Sequence, residues 1–349
     1  TPLYSSAASD VYKRQMQESA AFKCLSLAEA RDFAQRCCLQ AGSSQEVAQA
    51  LAEATVSAQG HGLASVGFEH LADYLHGFAS GRIAGLAKPL ITQLAPAMIR
   101  CDARAGIAQL GFDQAFGAVC DSTRQLGISL FALHNGFTCG ELGYYTRRLA
   151  AEGLVALAFC NGPALLTVAG QRQPIYSTNP LAFAAPCGDG RLLLIDQASS
   201  ATAFVNLLKA AEAGEAIPEG WAVDAQGAAT LSAREAMHGA LLAFGGSRGA
   251  NIALLVEVLA GGVAGGNWSL DAPDFRSGAQ SPGSGLLVIA IAPHLLDEQF
   301  EARLARQMQR LATLGVHPPG QAKQQAWARA QIEGISLPMA LYQQLAARV

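Results

Sequence analysis

Four strings in this chain put hydrogen-bonding or charged side chains where a turn could present them to a ligand. The first, Leu133-His134-Asn135-Gly136-Phe137-Thr138-Cys139-Gly140, follows a β-prone run and precedes a helix at Gly143-Tyr144-Tyr145. Backbone amides and small polar groups at a strand–turn–helix junction can hold phosphate or ribose oxygens. The plainer reading is a glycine turn capped by His134 and Asn135. The second, Ser177-Thr178-Asn179-Pro180, sets three polar side chains ahead of a strand, either as ligand contacts or as an Asx or Ser/Thr turn. In the third, Asp196 ends a strand and is followed by Ser199 and Ser200, which suits an active-site acid and equally a helix N-cap. The fourth, Gly245-Gly246-Ser247-Arg248-Gly249-Ala250-Asn251, places Arg248 to meet an anion or leaves it as a surface charge at a glycine-rich entry.

These groups need elements to position them. Ser26-Leu27-Ala28-Glu29 and Ser43-Ser44-Gln45-Glu46 both fit a capping box and predict two helix starts. Val47, Leu51, Ala54 and Ala58 recur at helical spacing until Gly60 and Gly62 break the helix. Phe68, Leu71 and Leu75 define another helix that ends near Gly81. Beyond about residue 90, short β-prone runs (Ile128–Leu133, Leu154–Phe159, Leu181–Ala185, Leu192–Ile195) alternate with helices such as Phe112–Leu126 and Gly143–Glu152. Residues 203–214 and 232–243 read as helices, Leu286–Ala292 as a fully buried strand, and Asp297–Leu314 and Gln321–Ile332 as helices again. That pattern predicts an α/β fold.

Composition narrows the function. Twenty-four Lys and Arg against 27 Asp and Glu leave a net charge of −3, so no basic field attracts nucleic acid or an anionic membrane. The apolar runs stop well short of the roughly 18 residues that a spanning helix needs. The eight cysteines form no C-x-x-C pair and sit near no histidine at zinc-finger spacing, which reads as small buried thiols in a reducing cytosol. Residues 1–15 share no pattern with the rest, and Met16 is expected to be the true start.

The usual dinucleotide fingerprint G-x-G-x-x-G is absent, as are a phosphate loop ending in Lys-Ser/Thr, H-E-x-x-H and G-x-S-x-G. Rarer strings carry a different resemblance. Ser177–Pro186, Asn135 with Gly140-x-x-Gly143-Tyr144-Tyr145, and Asp196-Gln197-Ala198-Ser199-Ser200 recur in that order. So do Ile217–Asp224, Gly245–Gly249, Pro319-Gly320 and Gly334–Pro338. From about residue 25 onward the chain resembles the malate/L-lactate dehydrogenase-like oxidoreductases, which include ureidoglycolate and sulfolactate dehydrogenases and Δ1-piperideine-2-carboxylate reductases. That family does not use the Rossmann fold.

The departures are local. The family's S-H-G-x-x-R string, whose His donates a proton and whose Arg grips a carboxylate, aligns through Tyr74 and Gly81-Arg82-Ile83 with Ser65-Val66-Gly67-Phe68-Glu69-His70-Leu71. Val66 can do no acid–base work, and His70 stands where the Arg would be. N-S-x-H-x-G becomes Asn135-Gly136-Phe137-Thr138-Cys139-Gly140, and the Lys of G-G-x-K-G becomes Arg248, which keeps the charge but not the shape. His70, one helical turn after Val66, can reach the same pocket. His61 and His134 are the other candidates for the donor.

The resemblance implies an NAD(P)-dependent oxidoreductase passing a hydride between nicotinamide and a small 2-oxo acid, 2-hydroxy acid or cyclic 2-imino acid. The expected fold is a non-Rossmann NAD(P)-binding mixed-sheet core (91–296), with a helical unit at 16–90 on which C-terminal helices (297–349) pack. His70 would be the proton donor or the carboxylate anchor, with Ser65 and Asp196 orienting the donor. His134, Asn135, Gly136, Thr138, Asn161, Thr178, Asn179 and Arg248 are the cofactor-side candidates. Arg147, Arg148 and Arg172 are either phosphate contacts or surface charges. The cofactor is NAD or NADP, NADPH being slightly preferred. The enzyme is expected to be a cytoplasmic homodimer with no metal, nucleic-acid or membrane partner. Loss of the donor histidine leaves two rivals: a ligand-binding or regulatory member of the scaffold, and an enzyme with a changed substrate.

Overall fold

The computed structural model describes residues 21–168 and 170–348, so the supposed extension and Met16 lie outside them. The chain opens with β1 (Phe22–Leu25) and the helices α1 (Leu27–Gln40), α2 (Gln45–Gly60) and α3 (Phe68–Ala79). Ser26 caps α1 with both arms of the box: its Oγ accepts the Glu29 amide, and its own amide donates to Glu29 Oε2. At α2 the box does not form. Ser44, not Ser43, is the cap, so the N3 residue is Val47 and no carboxylate reaches back: Ser44 Oγ accepts the Val47 amide and its own amide donates to the Gly85 carbonyl.

A seven-stranded mixed sheet follows. It comprises β2 (Leu90–Ala95), β3 (Met98–Asp102), β4 (Ile128–Gly136), β5 (Val155–Cys160), β7 (Leu181–Pro186), β8 (Leu192–Gln197) and β11 (Ser284–Ile291), in the order β2-β3-β4-β11-β5-β7-β8. Only β3 and β4 run parallel. This is not Rossmann order, in agreement with the missing glycine fingerprint. Period-two alternation along β11 builds both cores. Leu286, Val288 and Ala290 pack with Phe112 and Val119 of α4 (Ala108–Leu126) and Tyr145 and Leu149 of α5 (Gly143–Ala151). Leu287 faces the other way, toward Phe159, Val256 and Ala264.

A three-stranded sheet, β6 (Leu166–Thr167), β10 (Ala240–Leu242) and β9 (Ala222–Val223), stands beside α6 (Phe204–Ala213), α7 (Ala233–Ala236) and α8 (Ser247–Glu257). The helix expected over 232–243 is therefore a single turn followed by a strand. A Cβ at Gly239 would fall 1.9 Å from the Val223 carbonyl oxygen, so the chain there hugs its neighbour and turns into β10.

The C-terminus returns to the N-terminal helices, but not all of it does. The helix α9 (Phe300–Thr313) buries no residue, and its Glu301 and Ala305 approach Gly153 and Gly188 of the central unit. By contrast α10 (Gln321–Glu333), β12 (Ile335–Pro338) and α11 (Met339–Ala346) join the N-terminal core. β12 pairs with β1, and Ile335, Leu337 and Leu345 pack with Phe33, Leu71 and Leu75. No helix among the described residues is long and apolar enough to cross a membrane.

Trp327 of α10 stacks on His61 at 4.8 Å and occupies the space where a Gly60 Cβ would lie. His61 is 6% exposed, and its Nδ1 lies 2.7 Å from the Ser57 carbonyl oxygen, to which Nδ1–H donates. Burial, and then Arg147, push its pKa down to about 4 from 6.5. A lowered histidine pKa means that the unfolded chain takes up the proton first. Its contribution is intact above pH 6.5 and drains away as the pH falls toward 4, by at most about 3 kcal/mol. Urea unfolding at pH 7.5 and 5 should therefore show a smaller acid loss in His61→Gln than in the parent; equal losses would contradict this account.

Candidate active site

A cavity of about 340 Å³ opens where the N-terminal helices meet the central unit. One wall is α3 and the turn before it, carrying Ser65, Val66, His70 and Asp73. The loop after β4 adds Thr138, Cys139 and Gly140, and the floor is the end of β5 with Ser177, Thr178 and Ser284. Phe204 and Leu208 of α6, with Phe275 and Arg276, close the mouth.

His70 lies at the centre of the polar wall. Its Nδ1 is 2.8 Å from Asp73 Oδ2, and its Nε2 is 3.0 Å from Thr138 Oγ1. The Tyr74 hydroxyl donates to the Thr138 carbonyl at 2.7 Å and accepts from Gln109 Nε2. Thr138 Oγ1 is also 3.1 Å from the Tyr74 hydroxyl, so its single proton can go to either neighbour. Given to His70 Nε2, it satisfies a neutral imidazole protonated on Nδ1. Given to Tyr74, it leaves Thr138 Oγ1 to accept from Nε2–H of an imidazolium whose Nδ1–H faces Asp73. Both protonation states are hydrogen-bonded without moving an atom, as a recycling general acid requires. Val66 lies in the turn Ala64–Val66, separated from α3 by Gly67, yet it lines the same cavity as His70.

The floor is tied down by a buried carboxylate. Glu257, 5% exposed, accepts the Ser269 amide at 2.6 Å, the Ser269 hydroxyl at 2.7 Å and Asn179 Nδ2 at 2.8 Å. Asn179 also donates to the Ala253 carbonyl and has φ 37°, in the left-handed region that asparagine tolerates. Ser269 Oγ in turn accepts the Ser177 amide. Thr178 is thus presented to the cavity by two buried neighbours. Asn161 clamps the same floor, donating to the Asn267 carbonyl and accepting the Gly285 amide.

The cavity gathers Ser65, His70, Thr138, Asn161 and Thr178 from the expected site residues. Others lie elsewhere. Asp196 touches no histidine: it accepts the Gly143 amide at the start of α5 and lies 4.0 Å from Lys323, with burial raising its pKa. His134 and Asn135 face Asp102 at the end of β3, Asn135 donating to it at 3.0 Å. Gly136 is in β4 opposite Ser284, one strand away from the cavity. Asn179 is wholly buried and holds α8, and Arg248 is exposed at the entry to α8. His61 is walled off by Trp327. Arg147 is spent on a buried bidentate pair with Glu141, and Arg148 pairs with Asp113.

Three site residues escaped the sequence reading. Asp73 was detectable as an acid three residues after His70 on a predicted helix face. Glu257 and Arg276 gave no signal, the latter lying in a Gly/Ser/Pro-rich loop. The Arg276 guanidinium sits over the rings of Phe204 (4.7 Å) and Phe275 (5.7 Å) and enters none of the ion pairs among the described residues.

A mixed sheet of non-Rossmann order thus frames a hydroxyl-lined cavity beside a hydrogen-bonded imidazole. The chain matches malate/L-lactate dehydrogenase over residues 25–346 and belongs to that family. It is 35% identical over 301 residues to a Delta(1)-pyrroline-2-carboxylate/Delta(1)-piperideine-2-carboxylate reductase of Pseudomonas putida, covering 85% of this chain and 88% of that one. It is 34% identical over 325 residues to a (2R)-3-sulfolactate dehydrogenase (NADP(+)) of Chromohalobacter salexigens, covering 93% and 97%. The crystal structure of delta1-piperideine-2-carboxylate reductase from Pseudomonas syringae superposes with a TM-score of 0.90 at 33% identity, covering 94% of this chain and all of that one.

The family implies a nicotinamide cofactor, and the floor suits one. Ser284 Oγ is buried, lines the cavity and has no hydrogen-bond partner among the described residues, leaving a hydrogen-bonding position for an amide or ribose hydroxyl. Beside it, Gly162 exposes bare backbone. Because Asn179 serves Glu257, Asn179→Ala should lower unfolding free energy by about 2–3 kcal/mol, the cost of removing a hydrogen bond to a buried charge. Arg248→Ala should leave it unchanged. Thermal and urea denaturation check both, and an Asn179→Ala variant as stable as the parent would make Asn179 a ligand contact instead.

Proposed function

We propose that this chain is an NAD(P)H-dependent reductase of small cyclic 2-imino acids, with 2-oxo acids as the related substrate class. The observation that carries the reading is the cavity itself, in which His70 with its two-state hydrogen-bond relay faces a hydroxyl-lined floor under a cationic rim. The pyrroline- and piperideine-2-carboxylate reductases among its relatives support that substrate class. The NADP(+) in the name of the sulfolactate dehydrogenase supports NADPH over NADH. A cytoplasmic homodimer remains part of the proposal.

The bound nicotinamide supplies the hydride to the carbon beside the substrate carboxylate. Thr178, Ser177, Ser284 and Gly162 hold its ring and ribose, and Asn161 keeps that floor rigid. Arg248, exposed where α8 begins, is the contact for a more distant phosphate. His70 Nε2 passes its proton to the Thr138 hydroxyl as that hydroxyl gives its own proton to the imine nitrogen or oxo oxygen, and Asp73 steadies the imidazolium that precedes transfer. Ser65 orients the substrate from the same wall. Arg276 takes the carboxylate, and its planar fork is suited to that group. Val66, Leu142 and Leu165 meet the ring methylenes and keep water out. In this arrangement Asp196 acts at a distance, by fixing the start of α5.

Val66 in the donor position favours a second reading, a member of the scaffold that binds nucleotide but does not turn over. The two readings diverge in steady-state and binding measurements with NADPH and Δ1-piperideine-2-carboxylate. His70→Ala should lower kcat by about 10²-fold or more while leaving nucleotide Kd nearly unchanged. Arg276→Ala should raise KM for the acid about tenfold or more, the loss of one charge-assisted hydrogen bond, with little change in nucleotide Kd. His61→Ala should do much less than His70→Ala. A silent His70→Ala moves the proton to another residue, and a parent that binds NADPH without turnover of imino or oxo acids establishes the second reading.

A further inference from the structure

Cys139 and Cys160 are separated by a helix in sequence, yet their sulfurs lie 2.9 Å apart, and both line the cavity. Neither position is loose. The Cys139 carbonyl accepts from the Tyr145 hydroxyl and from Gln109 Nε2, so two buried side chains hold its backbone. Cys160 ends β5, where it is paired with Leu286 and its amide donates to the Pro180 carbonyl. The fold therefore sets the approach of the sulfurs. A disulfide needs an S–S distance of about 2.05 Å, less than an ångström closer, which small side-chain rotations supply. The other cysteines differ: Cys24 is exposed and hydrogen-bonded to Ser336, and Cys37 and Cys38 are buried in the N-terminal core.

We propose that Cys139 and Cys160 are a redox-active dithiol in the cavity wall that closes to an intramolecular disulfide when hydrogen peroxide enters the cavity. The thiolate of one cysteine attacks the peroxide O–O bond, forming a sulfenic acid and releasing hydroxide, which takes up a proton to become water. The sulfur of the second attacks the sulfenic sulfur, its thiol proton leaves with the expelled hydroxide as a second water, and the S–S bond forms. Two sulfurs lose two electrons in total, and the peroxide gains them. Its hydrogen bond to Cys160, and then burial, hold the Cys139 thiol above the ordinary range, so closure should quicken as the pH rises. In a reducing cytosol such a bond would be transient, as intracellular disulfides usually are. Closure would tie Cys139 to β5 next to Thr138, the residue that receives His70.

The test uses the whole chain, treated with hydrogen peroxide, blocked with N-ethylmaleimide under denaturing conditions and digested with trypsin. Cleavage at Arg147 and Arg148 separates the two cysteines onto different peptides. The expected result is a Cys139–Cys160 cross-linked peptide pair and, measured before the maleimide step, an intact mass lower by about 2 Da, both reversed by dithiothreitol. Cys139→Ala and Cys160→Ser should each abolish the cross-link; the second variant serves if the first does not fold. Oxidation of Cys24 without the 139–160 pair, or the two cysteines recovered separately as sulfenic or sulfinic acids, would overturn the proposal. The mass readout does not depend on turnover, so it stands or falls apart from the reductase reading. In an active parent, turnover should fall on oxidation and return with dithiothreitol.

Discussion

The contact between α3 and the loop after β4 is the constraint on which the site depends. His70 and Tyr74 lie one helical turn apart, and both reach Thr138, one through its hydroxyl and the other through its hydroxyl and carbonyl. Gln109 of α4 closes the group by bonding Tyr74 and the Cys139 carbonyl. Four polar side chains with few alternatives thereby fix the N-terminal helices against the sheet. The hydroxyls and ring nitrogens of this group are all bonded, whereas Gln109 Oε1 is buried without a partner among the described residues, which is a local cost of the arrangement. The cavity exists because this seam is polar on one side and apolar around it. Phe137 and Tyr74, both in the N-terminal core, pack edge to face at 5.4 Å.

A second buried charge performs the same service on the opposite wall. Glu257 has no cation beside it, yet it accepts three donors and so remains a tolerable buried carboxylate. Through Asn179 and Ser269 it holds both ends of the Ser177–Pro180 loop. Behind the cavity, the Glu141–Arg147 pair, reinforced by the Ser57 hydroxyl, joins α5 to α2. Burial alone would raise the Glu141 carboxyl, but its bidentate bond to Arg147 brings it below the usual range. Each unit is thus joined to the next by polar groups, while the apolar cores lie mostly within units. Dithiol closure, as inferred above, would add a covalent tie on this same seam.

Local signals made much of this architecture readable. The α1 capping box, the helical stripe of α2 and the apolar run of β11 depend only on neighbouring residues, and the elements formed where the pattern placed them. The failures have physical reasons. β1 and β12 pair across more than 300 residues of chain, so neither four-residue strand has a reason to exist alone. β2 lies at the sheet edge with mostly exposed side chains and shows no alternation. The turn at 233–236 ends where Gly239 meets another strand, a contact invisible in a window of neighbours. The site divides in the same way. Thr138 and Thr178 stood out in short polar strings, whereas Asn179 belonged to such a string for a structural reason. Arg276 and Glu257 acquire their roles only through residues far away in sequence.

The replaced pair at positions 66 and 70 becomes intelligible once Arg276 is included. The string expected from the family resemblance would place a histidine at 66 and an arginine at 70, and this chain has Val66 and His70 there. His70 carries its imidazole on α3, past the break at Gly67, where Asp73 and Thr138 complete its hydrogen bonds. The cation reappears on a different element. An exposed arginine stacked on two aromatic rings gains about 0.5–1 kcal/mol, while its in-plane donors stay available. Arg147 shows the contrast, since an anion would have to compete with Glu141 for it. An anionic ligand entering this cavity meets a guanidinium whose ion-pairing capacity no protein carboxylate has taken. In the proposed imino-acid reading, Val66 would offer an apolar wall to the carbon face of a ring whose polar edges meet His70 and Arg276.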